Sequence, residues 1–273
     1  GMRKTPIGMD FNTSGKKLDI VKRGMEKDYV LERTAGAFVF GDAGPIGYAV
    51  FMGNPATRSG SVSGFKDSED NAGVVTGEDY SYGGRLSYGM GKMLHAEFSY
   101  GISTATGSNQ GVDTNDDGTN DAVRDSAEDY NVWDIGLKSQ PAPGLTLKAE
   151  YLQGSNVGHV DGRDQTVWYL HGGYEITPMV EGVVRHYNST AENDDNLDHT
   201  VSETWIGANF FLNPEKHHEA RIQVFYAMAN GDTEASDYDG TDPGNFHRIK
   251  GAQYDKEDEE YGGAFWAMLQ TSF

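Results

Sequence analysis

Apolar and polar residues alternate with a period of two along most of the chain, the spacing of a strand whose two faces meet different surroundings. The C-terminal stretch shows it most fully. Tyr261, Gly263, Phe265, Ala267, Leu269, Thr271 and Phe273 fall on one face, and Gly262, Ala264, Trp266, Met268, Gln270 and Ser272 on the other. Tyr80, Tyr82, Gly84, Leu86 and Tyr88 stand opposite Ser81, Gly83, Arg85 and Ser87, and Leu94, Ala96, Phe98, Tyr100 and Ile102 opposite His95, Glu97, Ser99 and Gly101. The pattern predicts twelve strands, near 2–9, 33–41, 45–54, 79–90, 92–104, 129–139, 144–154, 164–176, 179–189, 201–212, 218–230 and 261–273.

The connections alternate in length. Gly41–Gly44, Gly89–Gly91, Gln140–Pro143, Thr177–Pro178 and Asn213–Lys216 are short and carry turn residues: proline presets φ, and glycine or asparagine accepts a positive one. The stretches 10–32, 55–78, 105–128, 155–163, 190–200 and 231–260 are long. Strict alternation gives each end of the sheet its own loop type, as in outer-membrane barrels with tight periplasmic turns and long outer loops. It places both chain ends on the short-turn side. The expected fold is all-β, a transmembrane antiparallel β-barrel forming a single domain over 1–273.

Composition sharpens this. A mean hydropathy of -0.61 is too polar for membrane helices, which need about 20 apolar residues in a row. A barrel strand needs an apolar residue only at alternate positions. A soluble sandwich would pack valine, isoleucine and leucine inward. Here the apolar face is rich in tyrosine, phenylalanine and tryptophan near strand ends, as in interfacial girdles. The opposite face carries charged groups whose enclosure is tolerable only if it lines water. With 42 Asp and Glu against 22 Lys and Arg, the net charge of -20 argues against a nucleic-acid partner. The acidic excess lies in the long connections, as solvated loop content or as a surface crown holding cations shared with lipopolysaccharide and outer-membrane lipid. The absence of cysteine excludes disulfides and thiolate chemistry. No export leader is visible, and Gly1-Met2 reads as a trimmed start.

Few residues carry chemistry. Asp113, Asn115, Asp117, Gly118 and Asp121 follow the opening of a calcium loop, in which alternating carboxylates and amides converge and glycine allows the turn. Arg124 stands where the bidentate glutamate belongs, so an acidic loop without metal is the other reading. No other cofactor is expected. No Gly-x-Ser-x-Gly or His-Glu-x-x-His is present, and the expectation is that the protein is not an enzyme. By parity Arg85, Lys148, Arg185 and Arg221 face inward, as do Glu97, Asp134, Glu150, Glu175 and Glu181, so the pore-facing charge is mixed.

Several segments carry a resemblance. Phe265, Leu269 and the terminal Phe273 are similar to the C-terminal signal read by barrel-assembly machinery in outer-membrane proteins. Arg3–Asp10 followed by Leu18–Gly24, Leu145–Gly154 and Ile206–Pro214 resemble, in order and spacing, segments of the phosphate-selective porin O and P family. The resemblance implies a porin, a trimer, and a loop at 10–32 folded into the pore as its constriction, with Lys16, Lys17, Lys22 and Arg23 at the eyelet. Family members have sixteen strands, so the resemblance implies either that four N-terminal strands are missing here or that this is a smaller twelve-stranded relative. The family's basic ladder is replaced here by mixed charge. The expected function is passive diffusion of small hydrophilic solutes, with anions such as phosphate among them. The alternatives are a structural or adhesive surface protein whose acidic loops bind cations, and an outer-membrane hydrolase.

Overall fold

The computed structural model describes residues 1–56, 79–105, 128–159, 162, 164–192, 198–217, 219–232, 247–255 and 260–271. Twelve strands form one antiparallel sheet: β1 (Met2–Lys4), β2 (Arg33–Ala43), β3 (Ile46–Gly53), β4 (Ser81–Met90), β5 (Leu94–Ser103), β6 (Tyr130–Ala142), β7 (Leu145–Ser155), β8 (Asp164–Thr177), β9 (Val180–Glu192), β10 (Asp198–Phe211), β11 (Ala220–Gly231) and β14 (Ala264–Thr271). Each pairs with the next in sequence order. A small hairpin, β12 (Gln253–Asp255) with β13 (Glu260–Gly262), stands apart. Strands of 10 to 14 residues, as in β4 and β8, are long enough to cross a bilayer when tilted.

The period-two pattern becomes two faces. Partners across each ladder share a face, as in Arg85↔Ser99, Ser99↔Asp134 and Arg221↔Gln270. The outward face exposes Ile46, Tyr48, Val50, Met52, Leu86, Phe98, Leu137, Leu170, Ile206, Ile222, Phe265 and Leu269. So large a contiguous apolar belt is incompatible with water and suits lipid. Residues 5–32 occupy the other side. They reach Ser99 on β5, Glu150 on β7, Arg185 on β9, Arg221 on β11 and Gln270 on β14. One short segment can touch that many strands only if the sheet wraps around it. Among the described residues no ladder joins β14 to β2.

Two expectations are corrected. The first strand ends at Lys4 rather than running to residue 9. Pro6 offers no N–H to a ladder, and Gly8 takes a φ of 82°, so the chain leaves the wall and turns inward. Nor does the first residue sit at the short-turn end. The Gly1 ammonium donates to Gly36 O at 3.1 Å, and Gly36 pairs with Gly53 in the half nearer the long connections.

Candidate functional site: the lumen and its inserted segment

The inward face is divided along its length. Towards the long connections it is apolar: Phe51, Val132, Leu152, Val167 and Phe225 belong to one core with Ile7, Phe11, Ile20, Met25, Val30 and Leu31 of the inserted segment. This half is a protein core rather than a water-lined wall, which corrects the expectation that the whole inward face lines water. Towards the short turns the lumen opens into two adjoining cavities. One of about 480 Å³ is lined in part by Thr13, Lys17, Asp19, Lys138, Lys148, Glu175, Glu181, His217 and Arg221. One of about 460 Å³ is lined in part by Arg85, Lys92, His95, Glu97 and Lys138.

The segment is tied down at each stage. Its neck closes where Thr5 N–H donates to Glu32 O at 3.2 Å and Thr5 Oγ1 to Leu31 O. The short helix α1 (Met9–Asn12) directs the N–H groups of Met9 and Asp10 onto the two Glu150 oxygens, at 2.7 and 2.9 Å. These are orphan amides of a helix start, and a carboxylate satisfies them with charge as well as hydrogen bonds. Leu18 O accepts from Arg221, and Asp19 O accepts from Asn209 Nδ2 at 3.0 Å. The Asp19 carboxylate pairs with Lys148 and with Arg185 Nη2 at 3.2 Å, and Arg185 Nη1 reaches Asp10 at 3.3 Å. Burial alone would raise the Asp19 pKa, but Lys148, His171 and Arg185 together hold it well below the usual carboxylate range. Farther on, a Cβ at Gly24 would lie 2.0 Å from the Tyr187 ring, so only glycine lets the backbone pass there.

A second inserted element was not read from the sequence. Residues 247–252, assigned to a long outer connection, fold back against the inner wall. Glu203 Oε1 accepts the N–H groups of Lys250, Gly251 and Ala252 at 3.0, 2.6 and 3.0 Å, while Trp205 Nε1 donates to Oε2 at 3.0 Å. Trp266 Nε1 binds Gly251 O at 3.0 Å. This element meets the first one: Lys250 pairs with Asp28, Lys22 Nζ donates to Lys250 O at 3.0 Å, and the same ammonium lies 3.5 Å from the Trp266 ring centroid. Burial pushes the Lys250 pKa down to about 8, with Lys27 adding to the effect. The only signal in the sequence was the inward parity of Glu203, Trp205 and Trp266 opposite a Gly251 that leaves room for indoles.

The named residues divide accordingly. Lys16 and Lys17 are exposed on the 3-10 turn Gly15–Lys17. Lys22 is engaged as described, Arg23 Nη2 donates to Thr13 O at 2.6 Å, and neither side chain is among those lining the two cavities. Arg85 lies 3.9 Å from Glu97, which also takes His95 Nε2 at 2.9 Å. Glu181 accepts from Asn209 at 2.8 Å. Glu150 and Arg185 face inward and are buried under the segment, whereas Lys148 and Arg221, also largely enclosed, border the larger cavity. Phe265 and Leu269 face outward. Phe273, Asp113, Asn115, Asp117 and Asp121 lie outside the described residues. Among the described residues no cluster of three or more histidine or acidic side chains could hold a metal ion.

No family model matches the chain, and no curated protein matches it in sequence. Among solved structures it is similar to in-vitro folded OmpT, an outer membrane protein of Vibrio cholerae, at 12% identity and a TM-score of 0.56, over 97% of this chain and 75% of that one. The trimer form of the same protein gives 12% identity and 0.51, over 98% and 76%. Salmonella typhi OmpF in complex with daunomycin gives 10% and 0.48, over 94% and 68%. At such identities the likeness to OmpT is one of fold: this is an antiparallel β-barrel of the outer-membrane kind. The resemblance to the phosphate-selective porin O and P family has no counterpart in a matching family model.

Proposed function

We propose that this chain is an outer-membrane channel for passive diffusion of small hydrophilic solutes, narrowed by its own 5–32 segment. The observation that carries this reading is a charged, water-accessible vestibule inside a sheet whose outer face is an apolar belt. The barrel fold shared with outer-membrane proteins supports the location, and the likeness to a trimer form supports a homotrimer. A finer reading is anion preference. Lys17 and Lys138 line the larger cavity, and no ion pair engages either among the described residues. Fixed cations in a narrow passage act at short range, where screening is weakest. Glu175 and Glu181 in the same cavity make that preference weak. The packed outer half favours a second reading, a closed structural surface barrel. Refolded protein in a planar bilayer separates the two: discrete conductance steps support the channel, and their absence with correctly folded protein supports the structural barrel.

A further inference from the structure

The segment and the wall meet around more acid than base. Asp10 and Glu26 on the segment, Asp134 on β6 and Glu150 on β7 are each at most 3% exposed. Arg185, itself 0% exposed, is the guanidinium among them, and it is shared with Asp19. Asp10 Oδ2, Glu26 Oε2 and Asp134 Oδ2 are buried with no hydrogen-bond donor among the described residues. Asp134 Oδ1 accepts from Ser99 Oγ at 3.3 Å, and four carboxyl groups enclosed around one guanidinium favour keeping a proton among them, because like charges at close range cannot all ionise out of water. Glu150 accepts the amides of Met9 and Asp10 with its two oxygens, so one of the enclosed acids is the wall group to which the segment is anchored.

We propose that residues 5–32 are a proton-held gate: the wall keeps the segment while the enclosed carboxyl groups retain a proton and releases it when that proton passes to water, so passage through the barrel rises from acid to alkaline pH. This rests on the channel reading only for its last clause.

The neighbouring acids agree in sign. Glu26 lies on the 3-10 turn Met25–Tyr29, which packs against α1, β7 and β8, and its carboxyl group acts electrostatically with Asp10, Glu150, Tyr169, Arg185 and Tyr187. Behind them stand Glu97 on β5 and, around Asp19, Lys148 and His171. Burial first, then Asp10 and Glu150, raise the Glu26 pKa well above 4.5. A group raised in the closed state stabilises that state fully below its free pKa, and the contribution disappears as pH climbs through the enclosed value. Over the interval between the two, opening is favoured about tenfold more per pH unit for each proton released. Lys250 opposes this at the alkaline end: burial lowers its pKa to about 8 in the closed state, so above that value the open state binds the extra proton and rising pH favours closure, which helps the climb to level off. Arg185 stays charged throughout. Asp19, already ionised well below this range, contributes no pH dependence within it.

The test uses the full refolded chain, with hydrogen exchange of peptides covering 5–32 followed from pH 5 to 9 and corrected for intrinsic rates. The expected result is an opening constant that climbs roughly tenfold per pH unit over part of this range and then levels. Glu26→Gln, on the segment and outside the wall ladders, should flatten part of the climb, and Glu26→Gln with Asp134→Asn should keep the segment protected at pH 9. A pH-independent opening constant in the parent, or an unchanged profile in the double variant with the barrel folded, would overturn the gate. Bilayer conductance at the same pH values keeps the two readings apart. Exchange that responds to pH without any conductance leaves the gate standing and removes the channel. Steady conductance with flat exchange does the reverse.

Discussion

Replacing Arg185 with methionine should detach the inserted segment while leaving the barrel intact. The side chain is fully enclosed and binds two carboxylates of the segment, Asp10 at 3.3 Å and Asp19 at 3.2 Å, besides donating to Tyr187 Oη at 2.8 Å and His171 Nδ1 at 3.2 Å. Removing one partner of a buried ion pair costs about 3–5 kcal/mol, because the other charge is left enclosed without compensation. Asp19 keeps Lys148 and is partly open to solvent, so its share is small, and Asp10, whose side chain is 1% exposed, carries most of the loss. The lower end of the range, about 3 kcal/mol, corresponds to roughly a hundredfold rise in the opening constant. Hydrogen exchange of peptides over 5–32 reads this directly. Exchange in β6–β9 should change little, since the ladders do not depend on the guanidinium. Adding Asp10→Asn to Arg185→Met should recover much of the protection by removing the uncompensated charge. Protection of 5–32 that matches the parent would refute the view that this buried pair holds the segment. So would a loss that Asp10→Asn leaves untouched.

Two further outcomes are expected. Reversal potentials across a salt gradient should show weak anion preference at high salt that drifts towards cations at low salt, as the acidic outer loops become less screened. Lys17→Glu with Lys138→Glu should move the preference towards cations, whereas Lys22→Glu should chiefly loosen the segment, because that ammonium sits on Trp266 and Lys250 O rather than in the vestibule. Millimolar calcium should raise the hydrogen-exchange protection of 113–121, and Asp113→Ala with Asp117→Ala should abolish the gain. No change on adding calcium would leave an acidic loop without metal.

The wall of this protein is legible in its sequence. In a strand each side chain points opposite its neighbour, so one alternating string of residues states which face meets lipid and which meets the interior. Ile222, Val224 and Tyr226 could be placed outside and Arg221, Gln223 and Phe225 inside without coordinates, and turn residues at Gly44, Pro143 and Pro178 located the reversals. Parity is silent on what an inward side chain meets once there. Val132, Val167, Val183 and Phe225 read as lumen lining, yet they form a core, because a connection that looks polar on average carries Ile7, Phe11, Ile20, Met25 and Leu31 at the positions that face them. The same limit applies to charge. Lys22 and Lys17 look equivalent in a basic loop, but one is bound to an indole and a carbonyl and the other borders open space. The segment carboxylates that Arg185 binds lie more than 160 residues earlier in the chain, and the amides that Glu203 binds more than 40 later. Contacts over such separations leave no local period or spacing in the sequence, since only the wrapping of the sheet brings them together. Local alternation therefore decided the barrel wall, and tertiary structure alone decided what fills it.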